Sequence, residues 1–365
     1  MKNICLCIYN LANRGGEERM CCLLANELHN RGFKVIVVSL CRFFYQKNIF
    51  SLNPGIRQYS FRHNRVERKL FRYGMLNKIP LYRYRKILAK EAIDVIIDVD
   101  IHQTLVSAEA SEGLNIKIVS WDHFCHRRFR NWDIYNDIMS CYKSGAVDKL
   151  VVLTNADRKS HIDKENLPQS FVCHISNPSP IQQNHYIRHD TKRVLAVGRL
   201  QTDKGYDMLL ETWAKVEAQD SEWSLEIVGD GPMREELLSL CNELRLERVE
   251  ICNFTSRIEE KYKSASIFVL SSRDEGFGLV LVEAMAMSLP LVSFACEAGP
   301  KEIIKDGYNG LLIEPGNTEM LATGLLHLIK DPDLRERMSH NAFESSKLYG
   351  IKTFTDKWVC LLNSL

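Results

Sequence analysis

The sequence predicts an α/β protein of two domains, each built on a parallel sheet, and three observations carry that expectation. Its 365 residues exceed what one hydrophobic core usually supports. Short β-branched runs alternate with amphipathic stretches, the pattern of βα units. The alternation stops at Ser176 to Thr191, a polar stretch containing Pro178 and Pro180, and then restarts. The expected division is 1–177, a linker at 178–192, and 193–349, with 350–365 packing back on the first part.

In the first half, strands are expected at Asn3 to Ile8, Val35 to Leu40, Val95 to Val99, Ile116 to Ser120, Leu150 to Thr154 and Phe171 to Ile175. Glu17 to Asn30 places Met20, Leu23, Leu24 and Leu28 on one helical face and stops at Gly32, which completes a βαβ unit. The second half offers strands at Val194 to Val197, Ser224 to Val228, Val249 to Cys252, Ile267 to Leu270 and Leu291 to Phe294. Thr353 to Leu365 carries Phe354, Trp358, Leu361 and Leu362 at helical spacing, so a docked amphipathic helix is expected there. Trp213, Trp223 and Trp358 sit in such patterns and are read as core.

A hydrophobic fraction of 45% and a charged fraction of 26% exclude disordered and fibrous classes. The longest apolar runs are strand-sized, well short of the roughly 18 residues of a membrane span. The N-terminus lacks a signal-peptide pattern, and the twelve cysteines lie mostly in apolar segments without a C-x-x-C pair. Reduced cysteines in a cytoplasmic protein are expected. Cys125, His123 and His126 share one loop without a second ligand pair, so no metal is expected. Net charge is only +2, but ten cations between Arg62 and Lys90 face the single acid Glu67. This positive segment, interleaved with Tyr82, Tyr84 and Leu88 among other apolar residues, is expected to dock on an anionic membrane surface or on a phosphate-bearing acceptor. A solvated helix face is the alternative. Nucleic-acid modules are not evident.

The densest chemical signal is Ser271-Ser272-Arg273-Asp274-Glu275-Gly276-Phe277-Gly278-Leu279-Val280-Leu281-Val282-Glu283-Ala284-Met285-Ala286. A strand end, a loop with two glycines and a helix starting near Gly278 would aim backbone amides at a diphosphate. Val197-Gly198-Arg199-Leu200 and Lys204-Gly205 place two cations at another strand end, where open α/β sheets bind ligands. Val228-Gly229-Asp230-Gly231-Pro232 forms a third junction, with Pro232 expected in a first helical turn. Ala298-Gly299-Pro300-Lys301-Glu302-Ile303-Ile304 and Asn309-Gly310-Leu311-Leu312 follow.

This combination, nearly continuous from Arg193 to Leu328, resembles the retaining sugar-nucleotide-dependent glycosyltransferases of family 4. The resemblance implies the GT-B fold, two Rossmann-like domains facing a cleft. In the N-terminal half, Gly15-Gly16-Glu17-Glu18 is similar to the family's glycine-rich loop, and Val119-Ser120-Trp121-Asp122-His123-Phe124 resembles a pattern that places a histidine at the donor sugar. Asp122 and His126 compete with His123 for that place.

By resemblance, Arg199 and Lys204 would hold the diphosphate together with amides near Phe277, Gly278, Leu279 and Val280, and Gly15, Gly16 and Gly229 would line the donor. Glu275 would bind donor-sugar hydroxyls and Glu283 the nucleotide ribose. Same-face attack with a phosphate oxygen as proton acceptor would give retention without a metal or other cofactor. The expected reaction moves a hexose or N-acetylhexosamine from a UDP-sugar to a saccharide. Cys296-Glu297-Ala298-Gly299-Pro300 resembles bacterial enzymes of surface-polysaccharide synthesis, which implies a lipid-linked oligosaccharide acceptor in O-antigen, capsule or exopolysaccharide assembly. A sugar-nucleotide epimerase and a noncatalytic nucleotide-sugar-binding protein are the competing classes.

Overall fold

A computed structural model describes residues 2–42, 47–62 and 78–365. It divides into two compact units, Met1–Ser176 with Lys352–Leu365, and Asn177–Ile351.

The first unit holds a parallel sheet of β1 (Asn3–Ile8), β2 (Lys34–Arg42), β3 (Arg57–Arg62), β4 (Val95–Val99), β5 (Lys117–Trp121), β6 (Lys149–Val152) and β7 (Val172–His174), in the order β3-β2-β1-β4-β5-β6-β7. The chain starts in the middle and winds first to one side and then to the other, so the order reverses between β1 and β4. Ile4 to Ile8 and Val95 to Val99 are all buried, as strands covered by helices on both faces must be. Strand β3, Arg-Gln-Tyr-Ser-Phe-Arg, was absent from the sequence expectations; it is an edge strand, and its polar composition hides it.

The second unit repeats the plan with β8 (Arg193–Val197), β9 (Ser224–Val228), β10 (Val249–Cys252), β11 (Ile267–Leu270), β12 (Leu291–Phe294) and β13 (Gly310–Ile313), in the order β10-β9-β8-β11-β12-β13. Its reversal falls between β8 and β11. Trp213, at 0% exposure, lies in the core beside this sheet. Residues 178–192 are bonded along this unit: Ile187 N donates to Ser288 Oγ at 3.0 Å, His189 Nε2 meets Met287 O at 2.7 Å, and Thr191 N donates to Ser266 Oγ at 3.0 Å.

The helix Ile351–Ser364 packs on the first unit. Trp358 meets Trp121 edge to face at 5.0 Å, Lys2 Nζ donates to Leu362 O at 2.6 Å, and Arg31 pairs with Asp356 at 2.7 Å. Among the described residues, no helix is long and apolar enough to cross a membrane.

The basic segment reads differently in the fold. Residues 63–77 lie outside the described residues. In the helix Lys78–Lys90, Tyr84 and Leu88 are fully buried, so they anchor the core rather than a membrane. Arg85 Nη1 donates to Ala110 O at 3.0 Å and Glu112 O at 2.6 Å, closing the end of the helix Thr104–Ser111. Arg83, Lys86, Lys90 and Tyr82 remain exposed.

Asp98, inside β4 at 0% exposure, takes a hydrogen bond from Ser107 Oγ on Oδ1, while Oδ2 has no partner among the described residues. Burial pushes its carboxyl from 3.8 up to about 8. An acid raised by folding adds stability below its unfolded pKa and loses it as pH climbs through the folded value. The thermal midpoint of the first unit should therefore fall between about pH 4 and about pH 8 and level off above that, and Asp98→Asn should flatten that slope in a pH series of melts. An unchanged slope would show that Asp98 is ionised in the fold.

Candidate functional site

In an open parallel sheet the strand-order reversal leaves a crevice at the carboxyl ends of the strands, because the two flanking loops diverge to opposite faces. In the second unit these are the loops after β8 and β11, which carry the four residues expected to matter most: Arg199 and Lys204 on one, Glu275 and Gly278 on the other.

The two loops are joined by several bonds. Lys204 Nζ meets Glu275 Oε1 at 2.6 Å, and Ser272 Oγ donates to the same oxygen at 2.7 Å. Ser271 Oγ donates to Lys204 O at 3.0 Å. Arg273 N donates to Asp203 O at 2.8 Å, while its guanidinium bonds Thr202 O at 2.8 Å and grips both oxygens of Asp207 at 2.8 and 2.5 Å. The Arg273 bond holds the Asp207 carboxyl below its ordinary range. Gly205 makes the closure possible, since a Cβ there would lie 2.1 Å from Ser271 O and its φ is +63°.

This pairing alters the expected picture of two unengaged cations. Lys204 is matched by Glu275, with one of its three ammonium donors used and two left for another ligand. Arg199 is exposed and has no side-chain partner among the described residues.

The helix Leu279–Ala286 begins at Gly278, whose φ of +88° is a left-handed conformation open to glycine. It has no side-chain cap and no acid in its first turn, so its first amides are available to an anion. Phe277 is buried, and its carbonyl lies 1.7 Å from where a Cβ on Gly299 would stand, which accounts for the glycine in Ala298-Gly299-Pro300. Glu283 is 3% exposed in the second turn and accepts from Tyr262 OH at 2.8 Å. Gly229 likewise has no room for a side chain, with Gly198 O 1.8 Å from its ideal Cβ. Pro232 precedes its helix rather than opening it: the helix starts at Arg234, and Gly231 to Met233 form the turn.

The loop after β1 behaves differently. Gly15 N donates to Glu18 Oε2 at 3.0 Å, so the start of the helix Gly16–Asn30 already holds a carboxylate from its own first turn. A phosphate there would have to displace it.

After β5, Asp122 is 1% exposed and accepts from Phe124 N at 2.9 Å, and burial pushes its carboxyl up to about 7. His126 is buried and bonds Glu165 at 2.8 Å. His123 is half-buried and stacks on Trp121 at 4.4 Å; its Nε2 has no partner among the described residues, and burial pushes the imidazole down to about 3, so it is neutral. Of the three residues left open by the sequence, only His123 is more than marginally exposed.

Among the described residues, one group has metal-ligand spacing, Glu226, Glu250 and Cys252. Lys261 and Arg193 already pair with Glu226, which supplies the positive charge a cation would bring.

Sequence reasoning passed over Arg273, Ser272 and Tyr262. Arg273 stood inside the quoted motif, but its partner Asp207 lies 66 positions away. Tyr262 is 21 positions before Glu283 and carries no local signal.

The fold and this site define a GT-B glycosyltransferase. The chain belongs to that enzyme family: residues 179–345 match the glycosyl transferases of group 1 and residues 14–182 match glycosyltransferase family 4. It is 31% identical over 369 residues to an uncharacterized glycosyltransferase of Haemophilus influenzae, covering 99% of this chain and all of the relative. Over 381 residues it is 29% identical to the amylovoran biosynthesis glycosyltransferase AmsD of Erwinia amylovora, with both chains covered in full. S. aureus TarM, solved with UDP and alpha-GlcNAc-glycerol, superposes over all of both chains with a TM-score of 0.81 at 17% identity.

Gly205→Ala tests the lock between the two loops. The variant should remain folded but bind UDP at least about tenfold more weakly by calorimetry, because the new methyl group separates Lys204 from Ser271. Unchanged affinity would show that the lock does not shape a nucleotide site.

Proposed function

We propose that this protein is a retaining, metal-independent glycosyltransferase that moves a hexose or N-acetylhexosamine from a UDP-sugar to a saccharide. The acceptor is a lipid-linked oligosaccharide of bacterial surface-polysaccharide synthesis at the cytoplasmic face of the membrane. The observation that carries the reading is the locked pair of loops after β8 and β11, which sets Arg199, Lys204 and an uncapped helix start around the strand-order reversal. The role of AmsD in amylovoran biosynthesis and the UDP bound to TarM agree with it.

Cleavage of the sugar–phosphate bond leaves negative charge on the diphosphate. Arg199, the two remaining donors of Lys204 and the amides of Leu279 and Val280 stabilise that charge, which is where a preorganised site lowers the barrier. Gly229, Gly278 and Phe277 keep the backbone close to the ligand. Glu275, fixed by Lys204 and Ser272, accepts hydrogen bonds from donor-sugar hydroxyls. Glu283, held by Tyr262, accepts from the ribose. A phosphate oxygen takes the acceptor proton on the face the diphosphate leaves, so configuration is retained. In the first unit, His123 is neutral through burial and can offer a sugar hydroxyl a hydrogen bond without bringing a charge. Arg83, Lys86 and Lys90, with Tyr82 beside them, supply contact with anionic lipid.

Transfer assays with a panel of UDP-sugars test the reading. Activity should persist in excess EDTA, and Arg199→Ala or Lys204→Ala should slow turnover by about 10²- to 10³-fold. Loss of activity in EDTA with recovery on adding manganese would contradict the mechanism. Conversion of a UDP-sugar without any acceptor would point to an epimerase.

A further inference from the structure

We infer that the first unit carries a pyranose-binding subsite built from His102, Trp132 and Phe124 at the reversal of its own sheet. The inference rests on the glycosyltransferase reading and gives that reading a specific acceptor contact.

The site starts from a strained residue. Asp100 follows β4 directly, beside the β1–β4 reversal, and holds φ +86° and ψ 132°, a backbone conformation that is strained for a non-glycine residue. Its surroundings enforce it. Asp100 N donates to Trp121 O at 3.0 Å, which ties the ends of β4 and β5. The Gln103 amide donates to Asp100 O at 3.0 Å and accepts from Tyr9 N at 2.8 Å, which adds the end of β1.

The strain positions one imidazole. Asp100 is 8% exposed, and its carboxylate takes His102 Nδ1 on both oxygens, at 2.9 and 2.8 Å, as well as His102 N at 3.2 Å. In the neutral imidazole the proton facing the carboxylate sits on Nδ1, which leaves Nε2 as an acceptor. That atom has no partner among the described residues, and the side chain is 42% exposed.

Aromatic surface adjoins it. The His102 ring lies 3.9 Å from Trp132, tilted by 30°, and Phe124 meets Trp132 edge to face at 5.0 Å. Trp121, Trp213, Trp223 and Trp358 are buried to 4% exposure or less, whereas Trp132 is only half-buried. A partly exposed indole beside a phenyl ring and a fixed hydrogen-bond acceptor suits a pyranose. The sugar's C–H face packs on the rings and one hydroxyl donates to Nε2. A structural pair would have no need to hold Asp100 in a costly conformation to fix the tautomer of an exposed histidine.

Saturation-transfer NMR on the whole protein tests this with maltose and N-acetylglucosamine at millimolar concentration as probes. Sorbitol, which has the hydroxyls without the ring, serves as control. The wild type should transfer saturation to the pyranose ring protons and not to sorbitol. Trp132→Ala should weaken binding about tenfold, and His102→Ala should weaken it comparably, with partial recovery in His102→Gln, which restores a polar group at the Nε2 position. UDP affinity, measured in parallel, should stay unchanged in all three variants. No transfer to either pyranose, or transfer that none of the variants alters, would overturn the subsite. Failure of the wild type to bind UDP would instead count against the proposed donor chemistry.

Discussion

The second unit's chemistry depends on the bonds between the loops after β8 and β11. Arg273, in the loop after β11, reaches Thr202 in the short 3-10 turn that follows β8 and Asp207 in the first turn of the helix Tyr206–Glu217. A bidentate guanidinium–carboxylate pair resists shear as well as separation. With the loops locked, Lys204 and Glu275 are presented as a pair, each with little freedom to lose when a ligand arrives. Their charges largely cancel, so the proposed hold on a dianionic group draws on Arg199 and the helix start at Gly278 together with the two remaining Lys204 donors.

The two units share an architecture but treat their corresponding helix starts in opposite ways. In the first, Glu18 turns back and satisfies the Gly15 amide, which places a negative charge where an anion would bind. In the second, Gly278 offers no side chain and Leu279 and Val280 bring no acid. This contrast is electrostatic rather than topological. It favours the second unit as the proposed diphosphate site, although both present a glycine loop before a helix.

Much of this was legible in the sequence. The β-branched runs located eleven of the thirteen strands among the described residues, because a strand buried on both faces must be apolar along its length; the polar edge strand β3 and β13, which begins with a glycine, lacked that signature. The positions of Arg199, Lys204 and Glu275 beside strand ends were legible from the pattern, while the roles proposed for them and for Glu283 came from the family resemblance. Their partners were not: Asp207 to Arg273 and Tyr262 to Glu283 are contacts between elements, set by packing and not by local pattern. The same limit applied to the basic segment, where charge counting could not show that Tyr84 and Leu88 face the core or that Arg85 closes a neighbouring helix. The pairing of Asp100 with His102 is local in sequence, but only the backbone shows that it is strained.

The central claim, that the locked loops of the second unit form the nucleotide-diphosphate site, is most directly tested by amide hydrogen exchange with and without UDP. The account predicts that UDP slows exchange most in residues 198–206 and 271–282. Protection absent from both segments, with UDP bound, would contradict it.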